Sequence, residues 1–323
     1  MSQTIGIVYN NLHFVNTCHD NLSYQQFYPI LTTKRFFTII LLNRGDSMKR
    51  ELTFAQQVER SITKKYRKKI WNPFVAAVKR YELIKEGDKI AVCISGGKDS
   101  MLLAKLMQML QRYSEVPFEQ IFLVMNPGYN EENLLQIKKN AELLELPVEI
   151  FNTDIFDITE KVDRYPCYLC AKMRRGHLYH EAQKRGCNKI ALGHHFSDVI
   201  ETTVMAMFYG SQLQGMIPKL KSTNYEGMEL IRPLYCVHED DIIAWTRYNG
   251  LRFIQCACRF TDAKFVEETG GTKRQEIKEL IRELKKTNPN IEKSIFNSLH
   301  RVHLDTFVGF KTKGKEYSFL DRY

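Results

Sequence analysis

Six residues, Ser95-Gly96-Gly97-Lys98-Asp99-Ser100, join an apolar run that ends at Ile94 to a stretch of helical periodicity, Asp99 to Arg112. A double glycine and a lysine at a strand-to-helix turn leave few folds open. In an open parallel sheet, ligands sit beyond the carboxyl ends of the strands, where this turn leads straight into a helix N-terminus. Gly96 and Gly97 let backbone approach an anion closely, and the unpaired N–H groups and positive dipole end of the helix favour negative charge. Lys98 adds a formal charge, Ser95 and Ser100 add hydroxyl donors, and Asp99 can hold Mg2+ bridging phosphates. A Walker loop would need glycine where Val92 stands and Ser or Thr where Asp99 stands, which weakens a reading as γ-phosphate hydrolysis.

The rest of the chain alternates. Strands are expected at Lys89 to Ser95, Gln120 to Asn126, Val148 to Asp154, Lys189 to His194, Met228 to Leu234 and Phe253 to Gln255. Helices are expected at Asp99 to Arg112, Glu131 to Leu146, Cys167 to Arg185, Asp198 to Tyr209 and His238 to Tyr248. Ile- and Val-rich strands alternating with helices imply a parallel sheet covered on both faces. Ahead of it, Leu52 to Glu86 has helical spacing and Pro73 should split it in two. Behind it, Ile277, Leu280, Ile281 and Leu284 mark one face of a helix whose other side is charged, and Asn288-Pro289-Asn290 precedes a last short helix. The expected organisation is residues 1–47 as a disordered or upstream extension ahead of Met48, 48–88 as a basic helical segment, 89–262 as the nucleotide domain with the ligating cysteines, and 263–323 as a helical tail.

A formal net charge of +10 favours a polyanionic partner. No run approaches the roughly 20 apolar residues needed to cross a bilayer, so the expectation is a cytoplasmic protein without a membrane partner. Eight cysteines without a secretory signal point to metal or redox chemistry rather than a disulfide framework. Cys167 and Cys170 begin a helix whose dipole, with Lys172, Arg174 and Arg175, would lower their pKa. Two such thiolates are half a metal site, and Cys256 and Cys258 are the other candidates. Four thiolates would suit closed zinc or a fully ligated cluster, whereas three would leave one iron of a [4Fe-4S] cluster open to an exogenous sulfur. A redox dithiol is a further alternative. Cys93, Cys187 and Cys236 are expected to be structural.

The hexapeptide is the signature of the PP-loop ATP-pyrophosphatases. Cys167-Tyr168-Leu169-Cys170, Arg174-Arg175-Gly176, Lys189 to His195, Met207-Phe208-Tyr209-Gly210, Gly215 to Leu220 and Ile231-Arg232-Pro233-Leu234 together resemble the tRNA 2-thiocytidine synthase family, from about Met48 to Phe260. The resemblance implies an α/β, adenine nucleotide α-hydrolase-like, doubly wound parallel sheet. It also implies ATP-dependent thiolation of cytidine-32 in the tRNA anticodon loop, with ATP, Mg2+ and a [4Fe-4S] cluster as cofactors. Lys98, Asp99, Cys167 and Cys170 are then catalytic, and Ser95 to Ser100, Gly193, His194 and Asp198 hold the nucleotide. Cys167, Cys170 and Cys258 ligate the cluster, with Cys256 as the alternative third ligand, because the family spaces its later pair three apart and this chain two. A sulfur donor such as a cysteine desulfurase is implied as partner, and homodimers are common in the family.

This chain departs from the family where Phe196-Ser197-Asp198 replaces Arg-Asp-Asp; Glu201 and Thr202 are kept. Thiolation of a uridine by the same chemistry, or a nucleotide-binding regulatory module without chemistry, are the alternatives. For RNA, Lys49 to Arg80 carries ten basic residues against two acids, with Tyr66 and Trp71 interleaved. Lys64, Lys65 and Lys68 could track phosphates while an aromatic ring stacks a base. Lys172, Arg174 and Arg175 have the better claim, being next to the thiols that the target base must reach.

Overall fold

The computed structural model describes residues 51–159, 166–254 and 272–323. Residues 1–47, Gln255, Cys256 and Cys258 lie outside them, as do the side chains of residues 166–168. Two helices lead, α1 (Phe54–Thr63) and α2 (Asn72–Arg80). They are followed by β1 (Lys89–Ile94), α3 (Lys98–Tyr113), β2 (Glu119–Asn126), α4 (Glu131–Leu143) and β3 (Val148–Asn152). Next come α5 (Ile155–Thr159), α6 (Pro166–Lys184), β4 (Lys189–Ala191), α7 (Phe196–Gly210), β5 (Lys219–Lys221), β6 (Glu229–Ile231) and α8 (Glu239–Tyr248). The chain ends with α9 (Lys273–Thr287), α10 (Ile291–Ser298) and a hairpin of β7 (Gly309–Thr312) and β8 (Lys315–Ser318).

The main sheet runs β3-β2-β1-β4-β6-β5, parallel except for β5 against β6. The period-2 geometry of a strand explains how it is covered. Ile90, Val92 and Ile94 of β1 pack into a core shared with α1, α3 and α8, while Ala91 and Cys93 face a second cluster with Tyr179 and Ala182 of α6. Strand order reverses between β1 and β4, which pair directly through Val92 and Ala191. The turns after these two strands therefore share the topological switch point, where open α/β sheets bind ligands. A third cluster joins Phe196, Val199, Ile200 and Val204 of α7 to Ile277 and Ile281 of α9 and Phe296 of α10, so the C-terminal helices close over α7.

Local sequence explains several helix starts. Thr53 and Gln56 form a capping box on α1, and Asn130 and Thr272 cap α4 and α9. Pro73, expected to break the leading helix, instead sits in the first turn of α2, where its missing N–H costs nothing. The break comes earlier, through a π-helical turn at Arg67–Trp71. The expected strand at 253–255 is not formed in its described part: Phe253 and Ile254 are irregular and pack against the core. The short edge strand β5 and the C-terminal hairpin were not expected.

Cys93 and Cys187 are buried and Cys236 is half-buried. Burial pushes the Cys187 and Cys236 thiols up to about 11 and Cys93 further, as suits packing groups rather than thiolates.

Candidate active site

Gly96 takes the left-handed region at φ +85. A Cβ there would stand 2.6 Å from Ile137 Cγ1 and 2.7 Å from Ile254 Cδ1, so the loop is pressed between α4 and the segment after α8. Gly97 is the N-cap of α3, with extended backbone and no side-chain capping bond, leaving the first-turn N–H groups for a ligand. Ser100 holds the loop closed: its hydroxyl donates to the Gly97 carbonyl at 3.0 Å and accepts from the Ser95 N–H at 3.1 Å.

The turn after β4 comes up against this helix start. A Cβ on Gly193 would lie 3.1 Å from the Ser100 backbone nitrogen, so a side chain here would push the two turns apart by a few tenths of an ångström. His195 is buried and is the N-cap of α7, in a box with Asp198. The Asp198 N–H donates to His195 Nδ1 at 3.3 Å, and the His195 N–H donates to Asp198 Oδ2 at 3.0 Å. On its other side, His195 Nε2 lies 3.7 Å from Asp99 Oδ1. His194 is held well below the ordinary imidazole range by burial and then by the Arg232 charge, so it is neutral at physiological pH.

Lys98 Nζ lies 3.1 Å from Asp99 Oδ2 and 3.1 Å from Glu239 Oε1. Among the described residues, Asp99 Oδ1 is buried without a hydrogen-bond partner. An orphaned carboxylate oxygen beside the phosphate loop fits a divalent cation, which takes oxygen ligands.

Four residues of this site were not identified from sequence: Tyr129, Glu239, Arg274 and Lys278. Arg274 on α9 reaches Asp198 Oδ1 at 3.1 Å, Glu201 Oε2 at 2.9 Å and Thr202 Oγ1 at 3.3 Å. The departures at 196 and 197 have structural roles. Phe196 stacks on Phe296 at 4.7 Å between centroids and lies 4.0 Å from the His238 ring. Ser197 Oγ accepts the Glu239 N–H at 3.4 Å.

The PP-loop domain family matches residues 56–262. Several curated relatives are named tRNA-cytidine(32) 2-sulfurtransferase. That of Geobacter sulfurreducens is 36% identical over 238 residues, covering 73% of this chain and 90% of the relative. That of Citrifermentans bemidjiense is 34% identical over 239 residues (73% and 91%), and that of Vibrio cholerae 34% over 274 (81% and 83%). The chain belongs to the PP-loop family of tRNA-cytidine(32) 2-sulfurtransferases. Among solved structures, the U34-tRNA thiolase NcsA from Methanococcus maripaludis, with its [4Fe-4S] cluster, superposes with a TM-score of 0.55 at 21% identity. It covers 72% of this chain and 79% of its own, a likeness of fold.

Against the ligand set suggested by the family resemblance, Cys167 and Cys170 fall in the first turns of α6, and the Cys167 side chain lies outside the described residues. Cys170 is half-buried. No three His, Cys, Asp or Glu side chains among the described residues group as a metal site, and the third thiol candidates, Cys256 and Cys258, lie outside those residues. On the same helix Lys172 and Arg175 are exposed, whereas Arg174 turns toward the loop. Its Nη2 donates to Tyr129 Oη at 3.3 Å, and Tyr129 donates to the Ser95 carbonyl at 3.1 Å.

In the basic segment Lys64, Lys65 and Lys68 are exposed, and Lys69 pairs with Asp241 at 3.0 Å. Tyr66 is not a stacking platform: it is buried, and its hydroxyl donates to the Ala244 carbonyl at 2.9 Å. Trp71 is half-buried against Phe74. Exposed rings here are Phe54 at the start of α1 and Tyr248 at the end of α8, the latter with Lys65 Nζ 3.6 Å from its centroid. Together with Gln57, Arg60 and Lys64 they line a groove.

Proposed function

We propose that this protein thiolates cytidine-32 of tRNA in an ATP-dependent reaction, through an adenylated base. The observation that carries this reading is the link Arg174–Tyr129–Ser95, which ties the helix bearing Cys167 and Cys170 to the phosphate loop. Activation and sulfur transfer would then take place at one edge of the sheet.

The β- and γ-phosphates lie on the N–H groups of Gly97 to Ser100 and on Lys98, with Mg2+ on Asp99. The C2 oxygen of the base attacks the α-phosphorus, the bond to the β-phosphate oxygen breaks, and pyrophosphate leaves. Sulfide, as HS−, then bonds to C2 and gives up its proton, the C2–O bond breaks, and AMP departs with the former C2 oxygen. Cys167, Cys170 and one of Cys258 and Cys256 would hold a [4Fe-4S] cluster, which when bound would present a sulfide delivered by the donor. Neutral His194 and buried His195 shape the wall beside the nucleotide, and His195 keeps Asp99 and Asp198 apart. Holding adenylate and sulfur in register supplies most of the rate, since well-oriented groups gain effective molarities of about 10⁵ M or more.

A cytidine must leave its stack to react, which suits an anticodon loop. Lys172 and Arg175 flank that approach, and the groove of Arg60, Lys64, Lys65 and Tyr248, with Lys68 beside it, takes the RNA backbone more remotely. A sulfur donor of the cysteine desulfurase type, a homodimeric arrangement and a cytoplasmic location complete the proposal. No helix among the described residues is long and apolar enough to cross a membrane.

Cys170→Ala, purified without oxygen, is expected to lose 2-thiocytidine formation by at least about 100-fold while binding ATP like the parent, because the thiol serves sulfur transfer and not the phosphate loop. Nucleoside mass spectrometry of the tRNA checks the first and calorimetric ATP titration the second. Undiminished 2-thiocytidine would overturn the proposal. So would one zinc and no iron or acid-labile sulfide per parent chain.

A further inference from the structure

Helix α9 stands outside the phosphate loop, yet two of its cations, Arg274 and Lys278, are one turn apart and reach into the site. Lys278 Nζ lies 2.5 Å from Glu239 Oε2, and the other oxygen of that carboxylate lies 3.1 Å from Lys98 Nζ. Arg274 holds Asp198, which adjoins His195, which in turn faces Asp99, the second partner of Lys98. The side chains thus close a ring: Lys278, Glu239, Lys98, Asp99, His195, Asp198, Arg274, and back along one turn of α9.

The ring creates a difficulty for phosphate binding. Lys98 must leave Glu239 to meet a phosphate, and the Glu239 side chain is only 14% exposed. A carboxylate that loses its counter-ion at such a position carries its desolvation cost uncompensated. It would pull Lys98 back and repel the incoming anion.

We propose that Lys278 is a positioning residue for the nucleotide: it keeps Glu239 neutralised so that Lys98 can be handed over to the phosphates. Arg274, pinned to Asp198, Glu201 and Thr202, sets α9 in register so that Lys278 reaches Glu239. Burial works against the Glu239 charge, but the Lys278 hydrogen bond and the Lys98 charge outweigh it and hold the carboxyl at about 2, so Glu239 is ionised before the phosphates arrive. The inference rests on the reading of the loop as an ATP phosphate site.

The test measures Mg2+–ATP affinity by calorimetry on the full chain for the parent, Lys98→Ala, Lys278→Met, Lys278→Arg and the double variant Lys278→Met/Glu239→Gln. Lys278→Met is expected to weaken ATP binding roughly tenfold, by leaving a lone carboxylate to compete for Lys98. Lys278→Arg keeps parental affinity, and the double variant recovers it, because the neutral amide no longer needs a partner. A purely structural role for Lys278 predicts no recovery in the double variant, and that result overturns the proposal, as does unchanged affinity in Lys278→Met. If Lys98→Ala binds ATP as tightly as the parent, the ATP-site reading itself fails. If only Lys98→Ala is weakened, the site stands and the handover is wrong.

Discussion

Gly96→Ala is expected to abolish ATP-dependent pyrophosphate release, with kcat/KM for ATP falling by at least about 1000-fold. Two independent costs fall on one methyl group. Alanine at φ +85 occupies a backbone region that costs an L-residue about 1–2 kcal/mol. Its Cβ would also stand within 2.7 Å of side chains of both Ile137 and Ile254, and overpacking of that kind costs about 1–3 kcal/mol. The chain relieves both by shifting the loop, which moves the Gly97 to Ser100 amides off the phosphates; a displacement of about 1 Å at a site of oriented groups costs some 100-fold alone. Pyrophosphate release with bulk tRNA, followed alongside the thermal melt, separates the two contributions. Parental turnover in a folded Gly96→Ala protein would mean that the loop does not hold the phosphates as described.

Glu59→Ala carries the largest expected effect on stability, a loss of about 3–5 kcal/mol in denaturant unfolding. Glu59 Oε1 on α1 lies 2.7 Å from Lys105 Nζ and 2.6 Å from Arg112 Nη2, and the Lys105 side chain is 1% exposed in the middle of α3. Lys105 also donates to Gln108 and the Leu144 carbonyl, so truncating Glu59 removes its counter-charge and leaves the ammonium buried. The double variant Glu59→Leu/Lys105→Met should regain most of the loss, since apolar replacements of buried pairs are often neutral. Burial raises the Glu59 carboxyl, but hydrogen bonds and charges from Lys105 and Arg112 outweigh it and the net shift is downward from 4.5. A lowered folded-state value means that the contribution is complete above the unfolded pKa and disappears as pH falls through the folded one. The gap between parent and Glu59→Ala should therefore narrow in acid. An unfolding midpoint equal to the parent's at neutral pH would refute the assignment.

The phosphate loop was legible in the sequence because its physics is local: glycines, lysine and helix start are contiguous, and strand β1 announces itself by apolar composition. Arg274, Lys278 and Glu239 were not. Lys98 and Glu239 are 141 residues apart, and Arg274 and Glu201 73, so nothing short of the fold brings them together. The available signal was weak: Arg274 and Lys278 lie one turn apart on the charged side of a recognised amphipathic helix, a pattern shared with any solvated face. Tyr66 failed for the opposite reason. Its neighbours, Lys65 and Arg67, are basic, but the ring is buried in the core. The C-terminal hairpin could have been found, since Lys313-Gly314, both at positive φ, separates two alternating runs in the manner of a two-residue turn. Strand β5, three residues long, falls below any periodic pattern.

That same strand limits what the protein can join. A sheet's outer margin exposes unpaired N–H and C=O groups that invite another chain to add on, and proteins blunt such margins by shortness and by lysine. Here the margin is Lys219–Lys221, two of its three residues cationic, and Lys219 spans back to donate to the Glu82 carbonyl. Sheet extension from one molecule into the next is disfavoured on this side, so any pairing of two copies would have to use another face.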